Sequence, residues 1–265
     1  MRQPPDPEAT LVTLYGRMPV LEALRDHRAS ITRVVIARSA QGETVERILA
    51  EATRRSVRVE RSDERRVTHL SGNGRHDQGV VAQIAAPGVG NLDDWLAVRS
   101  SGSVRLVLLD GVTNPSNVGM IVRTVAAAGL DGVVLPRAGS PGVGPLVVKA
   151  SAGVALTATI LGSPTAAAAT RAARAAGLTV VGLRSEAASP LWSSELPERA
   201  VYVLGNETEG ISEVVSALVD LWCSIPLDGG VESLNVASAA TVVAFELARR
   251  LSLSKNQTAT QVRKA

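Results

Sequence analysis

The chain has 265 residues, of which 45% are hydrophobic and 20% charged, and these proportions are typical of a globular protein. Aromatic residues make up only 2%, which argues against recognition of nucleic-acid bases by rows of stacking rings, whereas recognition by shape and phosphate contacts stays open. The formal net charge of +3 is mildly basic, but the arginine bias behind it also follows from a GC-rich gene, so it carries little weight.

Cysteine usage and the length of the apolar runs bear on the compartment. The single Cys223 excludes an internal disulfide, and its position in an apolar run predicts a buried core residue. Residues 1–10 contain no apolar leader, and no apolar run reaches the roughly 18 residues of a membrane span. We therefore expect a cytoplasmic protein with no membrane association.

The first part of the chain predicts a small α/β domain over residues 13–86, after a disordered lead at residues 1–12. Pro19 is placed to open a short helix, and the apolar spacing from Val45 to Ala52 predicts a second one. Strands are predicted at Val34–Ala37, around Val57 and Val59, and at Gly79–Ala85.

The second part predicts an α/β domain with a mostly parallel sheet over residues 104–251, between a linker at 87–103 and a flexible tail at 252–265. A short helix is expected near Asp93–Val98 within the linker. Strands with almost no polar residues are buried on both faces, which favours a parallel sheet that binds ligands outside the carboxyl ends of its strands. These strands are predicted at Arg105–Leu109, Gly132–Leu135, Thr179–Leu183, Ala200–Leu204 and Cys223–Leu227.

The loop after the first of these strands leads into a helix with an apolar stripe from Val118 to Ala126. Asn117 is a plausible N-cap of this helix. Arg123 lies off the stripe, so its guanidinium can reach toward the ligand cleft, although a solvated surface arginine is the simpler interpretation when this loop is considered alone.

Two further loops carry polar residues after predicted strands. The loop from Gly205 to Gly210 has glycines at both ends, and Glu207 within it could hold a hydroxyl or an amine; a turn with Ser212 capping the next helix is an equal alternative. In the third loop, Ser233 or Asn235 caps a helix that is expected to end near Arg250. Its N-terminus could bind an anionic group, but capping alone also explains both residues.

The three loops together, in this order, resemble the motifs of the SpoU-type (TrmH-like) RNA ribose 2′-O-methyltransferases. The resemblance covers residues 104–250, and the first domain resembles the substrate-binding domain common in that family. Thr208 stands where many relatives carry Gly. The matching segments are Asn114-Pro115, Asn117-x-Gly119-x-x-x-Arg123, Lys149-Ala150-Ser151-Ala152-Gly153, Gly205-Asn206-Glu207-x-x-Gly210, Ile225-Pro226 and Ser233-Leu234-Asn235, with Tyr15-Gly16 and Gln78-Gly79-Val80 in the first domain.

This resemblance implies an enzyme that uses S-adenosyl-L-methionine, a deep C-terminal trefoil knot and a homodimer. It also implies that the cofactor is held near Leu204, Gly205, Ile225, Pro226 and Leu234. The implied catalytic residues are Arg123, Asn117, Glu207, Ser233 and Asn235. Because an arginine pKa lies above about 12, we expect Arg123 to bind a phosphate and stabilise the developing alkoxide rather than to act as a base.

The expected partner is RNA, most simply large-subunit rRNA because an N-terminal domain is present, in a housekeeping or an antibiotic-resistance role. A tRNA substrate and a non-catalytic RNA-binding or ribosome-assembly factor are the alternatives. The spacing of His27, His69 and His76 implies no metal site. A phosphate-contact patch is plausible at Arg54, Arg55, Arg58, Arg61, Arg65 and Arg66, and a solvated face with internal ion pairs is nearly as plausible for each of them.

Overall fold

A computed structural model of the chain describes residues 11–27, 29–85 and 89–262. It has two compact units: one is formed by the described residues up to 85 together with Val143–Thr157, and the other by the rest of the described chain. The expected disordered lead lies mostly outside the described residues, but its last two, Leu11 and Val12, already belong to a strand. No helix in the described ranges is both long and apolar enough to cross a membrane.

The smaller unit is a four-stranded mixed sheet with helices, in the strand order β1-β4-β2-β3. Only β2 and β3 run parallel to each other. The predicted strands and the first two helices are confirmed, although the first helix begins at Arg17 rather than at Pro19; β1 and α3 were not predicted. The elements are β1 (Leu11–Tyr15), α1 (Arg17–Arg25), β2 (Ser30–Ala37), α2 (Glu43–Arg54), β3 (Arg58–Ser62), α3 (Glu64–Ser71) and β4 (Val80–Ala85).

The segment Val143–Thr157 joins this smaller unit, which the predicted domain limits did not anticipate. Its helix α6 (Pro145–Ala150) packs against β1, and the Lys149 ammonium lies 5.6 Å from the centre of the Tyr15 ring. Fully buried Ser151 donates to the carbonyl of Val148 and accepts from the amide of Ala155, so it holds the turn that follows α6.

The expected phosphate-contact patch around β3 is largely committed to internal contacts. Arg55 donates to four carbonyls, those of Ala23, Leu24, Asp26 and Ala29. Arg61 donates to two more, and Arg54 and Arg66 pair with glutamates. Four of the six arginines therefore stabilise the fold of the unit.

The larger unit contains a seven-stranded sheet in the order β11-β9-β10-β6-β7-β8-β5, and every neighbouring pair is parallel. The central strands are buried on both faces, as their composition predicted. Their bounds are β6 (Val104–Leu109), β7 (Gly132–Pro136), β8 (Ile160–Ser163), β9 (Thr179–Leu183), β10 (Arg199–Leu204) and β11 (Leu221–Cys223).

Helices cover the sheet of the larger unit. In α7, Ala166, Ala169, Thr170 and Ala173 recur at helical spacing and are buried against the strands. The predicted core position of Cys223 is confirmed, because this residue is fully buried. The helices are α4 (Leu92–Ala97), α5 (Pro115–Ala127), α7 (Ala166–Ala175), α8 (Glu213–Ser216) and α9 (Val236–Val262), and a 3-10 turn at Val154–Leu156 belongs to the smaller unit.

Three sequence predictions fail in this unit. Part of the expected linker forms β5 (Gly90–Asn91), which pairs with β8, whereas the short helix expected near Asp93–Val98 is confirmed as α4. The last strand ends at Cys223 rather than Leu227, because the chain then leaves the sheet and Pro226 has no N–H for a ladder. Helix α9 continues to Val262, well past Arg250, since no Gly or Pro follows to stop it.

Candidate active site

The three loops singled out in the sequence meet at the carboxyl edge of the larger sheet. Strands β6 and β10 are neighbours, and their last residues, Leu109 and Leu204, lie side by side in register. On the β6 side of this pair the sheet continues with β7 and β8. On the β10 side it continues with β9 and β11. The loops after β6 and β10 therefore diverge where the strand order reverses, which is the usual ligand position in a parallel sheet.

Asn117 does not cap α5, contrary to the expectation. Asn114 does so, because its side-chain oxygen accepts a hydrogen bond of 2.9 Å from the amide of Ser116. Asn117 lies in the first turn of the helix and is only 5% exposed. Its amide is therefore a buried polar group that requires partners, and it finds them on two other loops.

Asn117 connects the second and third loops. Its side-chain Nδ2 donates to Oε1 of Glu207, and its Oδ1 accepts a 3.2 Å hydrogen bond from Nδ2 of Asn235. Asn235 also caps α9, since its Oδ1 accepts from the amides of Ala237 and Ser238. Three predicted catalytic residues thus form one hydrogen-bonded network, which we call the Asn117 network.

Close backbone approach shapes the second loop. A Cβ added to Gly205 would lie 2.2 Å from the carbonyl carbon of Gly210, so no larger residue fits at that position. The backbones of Asn206 and Gly210 exchange two hydrogen bonds of 2.9 Å. Thr208, the departure from the family pattern, does not adopt a positive φ, so its side chain imposes no backbone strain.

Two residues outside the predicted catalytic and cofactor-binding sets fix this loop to its neighbours. The Asn206 side chain donates to the carbonyl of Gly111 at 2.9 Å. Asp110, buried at the end of β6, accepts from the amide of Ser212 at 2.8 Å. Ser212 precedes α8, but its side chain makes no capping hydrogen bond. The sequence could have indicated Asp110, because it is a charged residue directly after an apolar strand.

A cavity of about 450 Å³ opens beside these loops, and this is within the range of small-molecule sites. Of the predicted cofactor-binding residues, all but Pro226 line it, namely Leu204, Gly205, Ile225 and Leu234. Glu207 and Ser233 also line it, whereas Asn117, Asn235 and Arg123 do not. The cavity therefore contains four of the five predicted cofactor-binding residues and two of the five predicted catalytic residues.

The wall formed by β9 and β11 was missed by the sequence analysis. Trp222 lines the cavity opposite Gly182, where an added Cβ would approach the indole to 2.7 Å. The guanidinium carbon of Arg184 lies 4.4 Å from the centre of the same ring, in a cation–π arrangement. Next to it, a hydrogen bond from the Ser185 hydroxyl lowers the pKa of Glu186.

Arg123 occupies an exposed position on α5, a turn and a half beyond Asn117. Its guanidinium makes no hydrogen bond or ion pair with any residue that the structure describes. A bound anion therefore need not compete with an internal partner for it. In the same described ranges, no cluster of three or more His, Cys, Asp or Glu residues has a metal-binding arrangement.

Comparison with known proteins identifies the class. The model of the SpoU rRNA methylase family matches residues 104–245, and the model of the RNA 2′-O ribose methyltransferase substrate-binding domain matches residues 13–89. The chain belongs to the SpoU rRNA methylase family. The resemblance noted in the sequence is thereby confirmed.

Similar proteins extend over almost the whole chain. A 23S rRNA (guanosine-2′-O-)-methyltransferase RlmB of Ralstonia nicotianae is 33% identical over 91% of this chain and 96% of its own length. An AdoMet-bound rRNA methyltransferase from Sinorhizobium meliloti is 25% identical, with a TM-score of 0.71, over 91% of this chain and 87% of that one. The AviRb methyltransferase of Streptomyces viridochromogenes, solved with AdoMet, is 25% identical with a TM-score of 0.72, over 90% and 89%.

The chain is therefore an RNA ribose 2′-O-methyltransferase, and its cofactor is S-adenosyl-L-methionine. The non-catalytic alternative is set aside. The residues present fit this cofactor. The cavity has a suitable size, and at Gly205 its wall is backbone without a side chain. The carboxylates of Glu186, Glu207 and Glu209 in the lining suit the cationic groups of S-adenosyl-L-methionine.

Proposed function

We propose that this enzyme methylates the ribose 2′-hydroxyl of a guanosine in 23S rRNA. The observation that carries the proposal is the Asn117 network, which joins all three loops at one point and reaches the cavity lining through Glu207. The name of the Ralstonia relative, which aligns with both domains, supports the choice of RNA and of nucleoside. A substrate of this kind would place the enzyme in the cytoplasm.

Positioning is the main contribution that this site can make to the reaction. Bound S-adenosyl-L-methionine supplies an electrophilic methyl group on a sulfonium, and the ribose oxygen must approach that methyl in line while its hydroxyl loses a proton. We assign Glu207 to orient the ribose hydroxyl, because only one of its carboxylate oxygens is engaged by a described residue. Asn117 and Asn235 fix that carboxylate, and Ser233 helps to orient the methionine part of the cofactor.

Arg123 is assigned to the RNA rather than to the cofactor. It lies outside the cavity lining and pairs with no residue that the structure describes, so its guanidinium can bind the phosphate beside the target ribose and stabilise the developing alkoxide. Replacing Arg123 with Ala should abolish turnover and leave cofactor binding within about twofold. Isothermal titration with S-adenosyl-L-methionine checks the second point, and loss of binding would contradict the assignment.

We further propose that two copies associate through α5 and α9. These helices run parallel, because Asn117 contacts Asn235 near their first turns and the Thr124 hydroxyl lies 3.4 Å from that of Thr241 further along. Met120 and Phe245, one turn away from this pair of threonines, are 41% and 51% exposed. A second copy would cover this apolar face.

A trefoil knot is also proposed for the C-terminal part of the larger unit. The backbone of Ser224, just after β11, bonds to Ser189 and to Leu191 in the loop between β9 and β10. Arg250 on α9 donates to the carbonyls of Leu191 and Ser194 in that same loop. The β9–β10 loop is thus contacted both by the chain just after β11 and by α9, and these contacts support a threaded arrangement of the C-terminal chain.

The proposed target is tested by transfer of labelled methyl groups from S-adenosyl-L-methionine. Unmodified 23S rRNA, 16S rRNA and tRNA are supplied separately, with the Arg123→Ala protein as the inactive control. Label in 23S rRNA alone, resistant to alkaline cleavage at one nucleotide, is expected. Label in tRNA would favour the tRNA alternative, and label in 16S rRNA would contradict the proposed target.

A further inference from the structure

A second polar site lies at one end of the sheet in the smaller unit. The turns after β1 and β2 meet the segment before β4 there, because β4 runs antiparallel to both strands. They enclose a cavity of about 680 Å³. Its lining includes Arg17, Ser39, Glu64, Arg75, Asp77 and Gln78, and none of the lining side chains is aromatic.

One residue that lines this cavity has an unfavourable backbone conformation. Gln78 adopts φ = 52°, in the left-handed region that side-chain-bearing residues disfavour, and such strain often marks functional sites. Arg17 holds Gln78 in this conformation: its backbone amide donates to Gln78 Oε1 at 3.0 Å and its Nε donates to the Gln78 carbonyl at 3.2 Å. The same guanidinium donates to the carbonyl of Gln41.

The carboxylates around the cavity are engaged, whereas two arginines are not. Asp77 is 5% exposed and accepts from the Ser71 hydroxyl and the Gly79 amide, and Glu64 accepts from the Ser39 hydroxyl. Arg75 on the cavity wall and Arg38, directly before Ser39, are exposed and pair with no described residue. The site therefore presents two guanidinium groups without a described partner beside polar side chains that are hydrogen-bonded within the unit.

We propose that this end of the smaller unit binds the sugar-phosphate backbone of the substrate RNA through Arg38 and Arg75. Arg17 stabilises the site through its hydrogen bonds to Gln78 and Gln41. The inference rests on the proposed function, which supplies RNA as the ligand. Guanidinium groups bind phosphate oxygens in a bidentate manner, and a lining without aromatic rings has no platform for stacking bases. The contact would position the RNA without reading its sequence.

The test compares two double variants of the full-length protein. Arg38→Ala/Arg75→Ala removes the proposed contacts, and Arg25→Ala/Arg58→Ala removes two exposed arginines from the opposite end of the same unit. Both lose the same charge. Binding of in vitro transcribed 23S rRNA is measured at several salt concentrations, without cofactor, and thermal melting confirms that each variant is folded.

The first double variant is expected to bind the RNA about tenfold more weakly. The plot of log K for RNA binding against log salt concentration should become less steep by about 1 to 2, since each lost phosphate contact reduces the slope by about 0.7 to 0.9. The control should keep the wild-type slope. Arg38→Lys/Arg75→Lys should restore most of the slope, because lysine keeps the charge.

Equal losses in both Ala variants, or no loss in the first, would overturn the proposal. The wild-type methylation assay separates this result from a failure of the proposed function. Methylation of 23S rRNA with binding insensitive to Arg38 and Arg75 would refute the binding surface alone. If the double variant showed the expected change in salt dependence but the wild type did not methylate 23S rRNA, only the proposed target would be refuted.

Discussion

Asn117 is the residue at which the three loops converge, although it is only 5% exposed and does not itself line the cavity. Truncation to Ala leaves Glu207 and the side chain of Asn235 without their shared partner. Hydrogen bonds to charged groups contribute about 1.5–3 kcal/mol, so we expect kcat to fall by about 10- to 100-fold with little change in KM for the cofactor.

The matched control is Ser116→Ala, one residue earlier on α5. Ser116 is exposed and contributes only its backbone amide to the Asn114 cap. This variant should retain wild-type kcat. Steady-state kinetics with 23S rRNA check both expectations, and an equal effect of the two substitutions would contradict a specific role for the Asn117 network.

Gly205 illustrates a residue whose importance is steric. An added Cβ would overlap the backbone of Gly210, so Gly205→Ala must displace the loop that walls the cofactor cavity. We expect S-adenosyl-L-methionine binding to weaken at least tenfold in isothermal titration. Thr208→Gly in the same loop should be almost silent, because Thr208 has an ordinary φ; if the two variants behaved alike, close packing at Gly205 would not be the cause.

At the scale of secondary structure, α9 is tied to the β9–β10 loop through an ion-pair cluster. Glu246 accepts hydrogen bonds from Arg249 and Arg250, chiefly the former, and these lower its pKa to about 2. Arg250 in turn holds the carbonyls of Leu191 and Ser194. The glutamate side chain is only 10% exposed, so solvent screens these contacts weakly.

A carboxylate with a lowered folded-state pKa stabilises the protein above its unfolded pKa and loses that contribution as the pH falls. Glu246→Gln should therefore lower the free energy of unfolding at pH 7 by about 1–3 kcal/mol, and this difference should shrink between pH 4.5 and 2. Urea denaturation at a series of pH values checks the expectation. Glu43→Gln, which removes an exposed pair with Arg47, serves as the control.

A difference between wild type and Glu246→Gln that stayed constant down to pH 2 would rule out this contribution. Glu43→Gln should have little effect at any pH, since exposed ion pairs contribute at most about 1 kcal/mol.

Sequence patterns predicted most of the buried apolar strands, but they missed the short strand β8 and the alanine-rich helix α7. The apolar strands β6, β9 and β10 were found within one residue of their bounds, because burial on both faces excludes polar residues. The two-residue strand β5 is too short to produce a pattern. Helix α3 has only Val67 as a buried apolar residue, so it shows no stripe.

Within the site, residue types could be predicted but their partners could not. The loops containing Asn117, Glu207 and Asn235 carry recognisable motifs, yet the Asn117–Asn235 contact joins positions 118 residues apart, a distance that no local pattern reports. The cation–π pair of Arg184 and Trp222 depends on the adjacency of β9 and β11. It therefore became visible only once the sheet order was known.

At the scale of the whole molecule, the proposed dimer face on α5 and α9 makes a direct prediction. Phe245→Glu would bury an unpaired charge in the interface, which is strongly unfavourable, so we expect a monomer by light scattering where the wild type is a dimer. Val98→Glu, at an apolar residue that is 77% exposed, is the control and should leave the dimer intact. A dimeric Phe245→Glu protein would place the interface elsewhere.

The most direct test of the central claim is to identify the modified nucleoside in the product. Unmodified 23S rRNA is incubated with the enzyme and S-adenosyl-L-methionine, digested to nucleosides and analysed by mass spectrometry. The account predicts a single new species, 2′-O-methylguanosine, which is absent when Arg123→Ala replaces the wild type. A methyl group on the base, or on the ribose of another nucleoside, would contradict the proposed reaction.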